Sequence, residues 1–170
     1  MSNTAEKALK GGSFLVDELT PDQMFVPEDL TEEQQMIAKT TQDYIQNEVL
    51  PHMETLEKQD LELTKKLLRK AGDLGLLGAD VPEAYGGLGL DKISSSLITE
   101  KFALARSFSL SYGAHVGIGS LPIVLFGTHE QKQKYLPDLA TGKKFAAYAL
   151  TEPGSGSDAL GAKTTAKLNE

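Results

Sequence analysis

The chain has 170 residues, 40% hydrophobic and 24% charged, with a formal net charge of −7 and no cysteine. That composition is ordinary for a globular chain with a real core, and it excludes a disulfide framework and a thiolate metal site. The acidic balance argues against nucleic acid as the main partner, while backbone N–H groups and helix ends remain able to bind an anionic small ligand. His52, His115 and His129 lie far apart and form no ligand spacing, so no metal site is expected.

The N-terminus, "MSNTAEKALKGGSF", has no apolar stretch of signal-peptide length and no arginine. No apolar run approaches the roughly 20 residues that cross a bilayer. The expectation is a cytoplasmic chain without a transmembrane segment. Residues 1–30 are broken by glycine and proline into short pieces and read as an extension draped over a larger body. The first strong helix is "LTEEQQMIAKTTQDYIQNEVLP". Thr31 and Gln34 have capping-box spacing, Ile37, Thr41, Tyr44, Ile45 and Val49 share a face, and Pro51 ends or kinks it. A second helical stretch runs from Pro51 to Lys58.

"ELTKKLLRKAGDLGLLG" is a further helix, with a stripe of Leu63, Leu67, Leu68, Ala71 and Leu74 and a stop at Gly75 or Gly78. "DVPEAYGGLGL" is a glycine-rich loop that includes Tyr85. "KISSSLITEKFALARS" is again an amphipathic helix. "FSLSYGAHVGIGSLPIVLFG" is apolar throughout and is expected to be buried. Within it His115 reads as a core histidine. Gly113 and Gly117, four apart, share a face and allow either close helix packing or room for a ligand. "THEQKQKYLPDLATG" opens with a second capping box, Thr128 to Gln131, and closes at Gly142.

After Lys144 the period changes. Phe145 to Thr151 reads as a buried strand, and "GAKTTAKLNE" alternates in a way that starts another. Helices followed by strands imply an α domain with a β domain just beginning. The order therefore reads as a fragment: an extension at 1–30, a helical domain at 31–144 and the truncated start of a β domain at 145–170.

The run between those strands is "TEPGSGSD". Pro153 fixes φ, Gly154 and Gly156 admit positive φ or close approach of a ligand, and Thr151, Ser155 and Ser157 offer hydroxyls. Such a loop suits a polar or anionic ligand. A Walker A reading fails because no lysine follows Gly156. "GSGSDA" fits a loose G-x-G-x-x-A pattern, but no βαβ unit surrounds it. A plain structural turn is the third reading.

"YALTEPGSGSD" resembles the first signature of the acyl-CoA dehydrogenase family. "DVPEAYGGLGL" is similar to that family's Pro-Glu-x-x-Gly-Gly-x-Gly loop. "LFGTHEQKQKYLPDLATGK" is similar to its Gly-x-x-x-Gln-Lys-x-x-Tyr-Leu-Pro helix, and "EEQQMI" to its opening helix. These motifs occur in family order from about Leu30 onward. Upstream, "GGSFLVDELTPDQMF" resembles the extra N-terminal piece of the very-long-chain branch.

The resemblance implies a mainly α architecture, an N-terminal helical domain followed by the start of the middle β domain. It implies FAD as cofactor and oxidation of the Cα–Cβ bond of an acyl-CoA, with a long chain favoured by the branch. It also implies an electron-transfer flavoprotein as acceptor and a homo-oligomer at full length. Residue by residue, Tyr148, Ala149, Leu150 and Thr151 fall on positions that meet the flavin ring, and Gly156 and Ser157 on the rest of the cofactor run. Ser157 also matches a position that touches the acyl-CoA. The family's catalytic base belongs to a C-terminal helical domain, so Glu152 and Asp158 are expected to cap turns. The segment around Gly113 and Gly117 is placed along the acyl channel. An acyl-CoA oxidase-like flavoenzyme and a non-catalytic helical packing or dimerisation module are the alternatives.

Overall fold

A computed structural model describes Gly12, residues 15–20 and residues 24–168. Part of the N-terminal extension, including most of "GGSFLVDELTPDQMF", lies outside the described residues. The fold is helical. Its α-helices are α1 (Glu32–Tyr44), α2 (Met53–Glu57), α3 (Leu61–Asp73), α4 (Lys92–Phe102), α5 (Arg106–Gly113), α6 (Leu121–Phe126) and α7 (His129–Ala140). Two π-helical turns extend α1 and α5, Ile45–Val49 and Ala114–Ser120.

The helix starts follow local chemistry. Thr31 accepts from the Gln34 N–H while the Gln34 side chain accepts from the Thr31 N–H. Thr128 and Gln131 repeat the arrangement at α7. Both capping boxes stand where the sequence places them. Asp60 caps α3, and Asp91 caps α4 by accepting from the N–H groups of Ile93 and Ser94 and the Ser94 hydroxyl. Those bonds, the Ser94 amide first, hold the Asp91 carboxyl below the usual range for an aspartate. The Gln34 amide also reaches Asp91, tying the starts of α1 and α4 together.

The main core gathers Tyr44, Ile45 and Val49 with Leu67, Leu68 and Ala71 of α3 and Ile98, Phe102, Phe108 and Tyr112. Phe102 stacks on Tyr112 with ring centroids 3.6 Å apart. The Tyr44 hydroxyl donates to the Leu67 carbonyl and the Tyr112 hydroxyl to the Leu76 carbonyl. Burial pushes both phenols well above their ordinary pKa, with Glu48 and Asp80 adding to it respectively. A second cluster joins Val81 to Leu136, Leu139 and Ala140 of α7.

The loop after α3 is seated by three bonds, from the N–H groups of Leu88, Gly89 and Leu90 to the carbonyls of Gly78, Val81 and Ala79. The stop at Gly75 has the expected left-handed geometry, φ +77°. Between Phe25, Val26, Pro27 and Leu30 on one side and α1 and α4 on the other lies a groove of about 1010 Å³.

Three expectations are corrected. Phe145–Thr151 and the residues after Gly161 form no strand; the only pairing among the described residues is an isolated bridge between Glu152 and Ser155. A strand exists by its ladder, and no described segment offers one here. Only Phe145 and Ala146 are partly buried; residues 147–151 are exposed.

The apolar segment 107–127 is buried on one face only. Phe108, Tyr112, His115 and Ser120 point inward, while Leu110, Ile118, Leu125 and Phe126 are 77%, 56%, 64% and 84% exposed. Finally, the helical run Lys92–Phe126, 35 residues, is long and apolar enough to cross a membrane by length and composition alone. It is interrupted at Arg106, whose φ is +44°, and its inner face is Ile98, Phe102, Phe108 and Tyr112 of the core, the pattern of a helix that packs in protein.

Candidate functional site

The residues singled out at 148–157 lie together on an exposed run. Lys144 and Ala146 hold its root, through the Lys144 N–H to the Asp138 carbonyl (3.0 Å) and the Ala146 N–H to His115 Nδ1 (3.0 Å). From Tyr148 to Thr151 the backbone amides make no hydrogen bond among the described residues. Tyr148 is 55% exposed and Leu150 42%. Four successive residues thus present unpaired donors and acceptors, a state that favours a ligand or another segment.

The loop that follows is closed on itself. Glu152 and Ser155 exchange both backbone bonds, 2.9 and 3.1 Å, around Pro153 and Gly154. The Ser155 hydroxyl donates to the Asp158 carbonyl, and Ser155 is 4% exposed. Its hydroxyl therefore serves the turn and is not free for a ligand, which corrects its place among the three offered hydroxyls. Thr151 and Ser157 are exposed and their hydroxyls have no partner among the described residues.

Neither acid is presented as a reacting group. Glu152 accepts from the N–H groups of Lys163 and Thr164, 2.8 Å each, and these bonds hold its carboxyl below the usual glutamate range. Asp158 caps the turn Ala159–Gly161, accepting from the Gly161 N–H. Both act as caps, as expected from the sequence.

Gly154 and Gly156 do not have positive φ, and a Cβ added to either would meet nothing within 4 Å. No packing inside this chain requires them to be glycine. They leave bare backbone facing open space, as a loop that receives a flat or phosphorylated ligand needs.

A second feature lies on the helical body. Between α4 and α5 runs a groove of about 530 Å³, with Thr99, Phe102, Tyr112, Gly113, Val116 and Gly117 on its walls. A Cβ on Gly113 or Gly117 would again meet nothing within 4 Å. Close helix packing does not explain these glycines in this chain; open volume in the groove does.

The sequence reading missed Gly119. A methyl there would lie 2.7 Å from the carbonyl carbon of Ala146, so this glycine lets the root of the exposed run pass against the π-turn. Nothing in its spacing distinguished it from Gly113 and Gly117.

Comparison with known proteins agrees with this arrangement. The family described as acyl-CoA dehydrogenase, N-terminal domain, matches residues 31–143. A probable acyl-CoA dehydrogenase of Bacillus subtilis (strain 168) is 70% identical over 170 residues, all of this chain and 29% of that protein. A crystal structure of an acyl-CoA dehydrogenase complexed with FAD from Bacillus anthracis superposes with a TM-score of 0.88 at 70% identity, covering 95% of this chain and 28% of that one. Butyryl-CoA dehydrogenase from Megasphaera elsdenii gives a TM-score of 0.70 at 36% identity, covering 83% and 37%. The chain spans about three tenths of the length of its 70%-identical relatives. With its helical body, its exposed TEPGSGSD loop and a family match over more than half its residues, the chain belongs to the acyl-CoA dehydrogenase family.

Proposed function

We propose that this chain is the N-terminal part of an FAD-dependent acyl-CoA dehydrogenase that converts a fatty acyl-CoA to its trans-2-enoyl-CoA. The carrying observation is the exposed run Tyr148–Ser157, whose backbone and free hydroxyls have no partner among the described residues in a chain of this family. The donor set fits a flavin: uncharged amides and hydroxyls suit the hydrogen-bonding edge of a planar ring, and no side chain of the run blocks the approach.

In this reading Tyr148, Ala149, Leu150 and Thr151 hold the ring edge, and Gly156 and Ser157 continue the cofactor contact. Ser157 also meets the acyl-CoA. FAD, when bound, supplies the two-electron acceptor. No residue of this chain is assigned as the base that removes the α-proton, because Glu152 and Asp158 are spent on the loop.

The groove at Gly113 and Gly117 supports an acyl channel with room for a long chain. Residues 31–144 are proposed as the helical domain and 145–170 as the start of a β domain, in which 145–151 would gain its ladder. An electron-transfer flavoprotein as acceptor, a homo-oligomeric complete protein and a cytoplasmic location complete the proposal. The exposed apolar line Leu110, Ile118, Leu125 and Phe126 also favours a second reading, a helical module whose purpose is packing.

The visible spectrum of the complete gene product separates them. The enzyme reading expects a flavin band that bleaches on anaerobic addition of palmitoyl-CoA, and more fully than with octanoyl-CoA at equal concentration. A complete product without flavin would refute it in favour of the packing module.

A further inference from the structure

His115 sits in the π-turn Ala114–Ser120 and is 1% exposed. Both of its ring nitrogens are used. The Ala146 amide can only donate, so Nδ1 accepts at 3.0 Å. The Leu139 carbonyl can only accept, so Nε2 carries the proton, also at 3.0 Å. One neutral tautomer alone satisfies both neighbours. The ring meets Phe145 edge-on at 5.8 Å, and the guanidinium of Arg69 lies 5.6 Å from that phenyl centroid.

A packing role does not account for this. A phenyl ring would fill a similar volume without the cost of burying two polar nitrogens. The imidazole is explained by what it joins: α7, the π-turn, and the root of the exposed run. Its bond to Ala146 is the last one before Glu152. Tyr148 is two residues further on, within roughly 7 Å along an extended chain.

We propose that His115 is a positioning residue for the cofactor: by holding the Ala146 amide in one tautomer, it sets the register and direction in which Tyr148–Thr151 meet the flavin. This rests on the flavin reading given above.

The test uses the complete protein with two substitutions. His115→Phe keeps the ring volume and removes both bonds. His115→Gln keeps one acceptor and one donor. Flavin dissociation and the flavin absorption spectrum are read, with amide exchange of the 144–149 peptide alongside. His115→Phe is expected to weaken flavin binding about fivefold to tenfold, the loss that follows from one hydrogen bond, to shift the flavin spectrum and to expose the Ala146 amide. His115→Gln is expected to restore affinity to within about threefold of wild type.

Wild-type affinity and spectrum in His115→Phe would overturn the proposal. So would a folded His115→Gln no better than His115→Phe. Should His115→Phe not fold, exchange in the wild-type protein decides: a protected Ala146 amide beside freely exchanging Ala147 and Tyr148 supports the anchor, and an unprotected one overturns it. Wild-type protein without flavin defeats the functional reading first and this inference with it. Wild-type protein with flavin and an insensitive His115 defeats this inference alone.

Discussion

Replacing Gly87 by alanine puts a methyl group where the backbone of Val81 already stands. The added Cβ would collide with the Val81 carbonyl oxygen and Cβ, and its distance to the Val81 carbonyl carbon would be 2.5 Å. No side-chain rotation relieves a clash with backbone, so the two sides of the loop must part. The bonds at stake run from Leu88, Gly89 and Leu90 to Gly78, Val81 and Ala79, at 2.9, 2.9 and 2.8 Å.

At about 1 kcal/mol net for each bond, the loss approaches ~3 kcal/mol. Alanine returns about 0.4–1 kcal/mol by restricting the unfolded chain. The clash wins by about 2 kcal/mol, or roughly 4–8 °C in Tm for a chain of this size. Urea midpoints and thermal scans measure it against Gly154→Ala, where the methyl meets open space and φ is not left-handed. That control is expected to stay within about 0.5 kcal/mol of wild type. A Gly87→Ala protein as stable as its control would refute the close pass and the seating of the loop.

Gly117→Leu in the complete enzyme fills the groove beside α4 and is expected to move substrate preference toward shorter acyl chains; an unchanged chain-length profile counts against the channel. Glu152→Gln replaces an acceptor of two amide protons by a side chain with one acceptor oxygen, so flavin should bind more weakly while the flavin-loaded enzyme keeps most of its chemical rate. Loss of that rate with flavin bound would show that Glu152 does more than cap. Burial holds the His115 imidazole below its ordinary pKa of 6.5, against a smaller opposing effect of its bond to Leu139. The folded chain then binds fewer protons than the unfolded one, so this contribution is fully present above pH 6.5 and is lost as pH falls below it. Urea midpoints between pH 7.5 and 5.5 should decline in the wild type and decline less in His115→Gln.

What the sequence makes legible here is what is decided within a turn or two. Thr31 with Gln34, and Thr128 with Gln131, form their capping boxes because both partners lie three residues apart. The stripe at Thr41, Tyr44, Ile45 and Val49 is buried because helical period carries it inward.

Long-range features are less legible. Phe145–Thr151 has strand composition, yet pairing depends on a segment that the described residues do not contain. Hydrophobicity alone did not say which side of 107–127 faces the core, so Phe108 and Leu110 looked equivalent although one is 1% and the other 77% exposed. Gly113, Gly117 and Gly119 are alike as letters. Only the neighbours of their missing methyl groups separate open volume from a tight crossing. At the loop the residue types pointed to a ligand, but only the geometry shows that Ser155 closes the turn while Thr151 and Ser157 stay free.

The π-turn Ala114–Ser120 also marks this chain as sensitive to length in a way no substitution would expose. A π-turn accommodates surplus residues in an otherwise α-helical rod, and each residue removed turns the downstream rod by about 100°. Deleting one position between Ala114 and Ser120 would therefore rotate α6 and swing Ile123 and Val124 off Leu136, Leu139 and Ala140. Indels and point changes at the same seven residues should have opposite reputations in a genetic screen, with single-residue gaps disabling where many exposed replacements, such as those at Ile118, pass unnoticed.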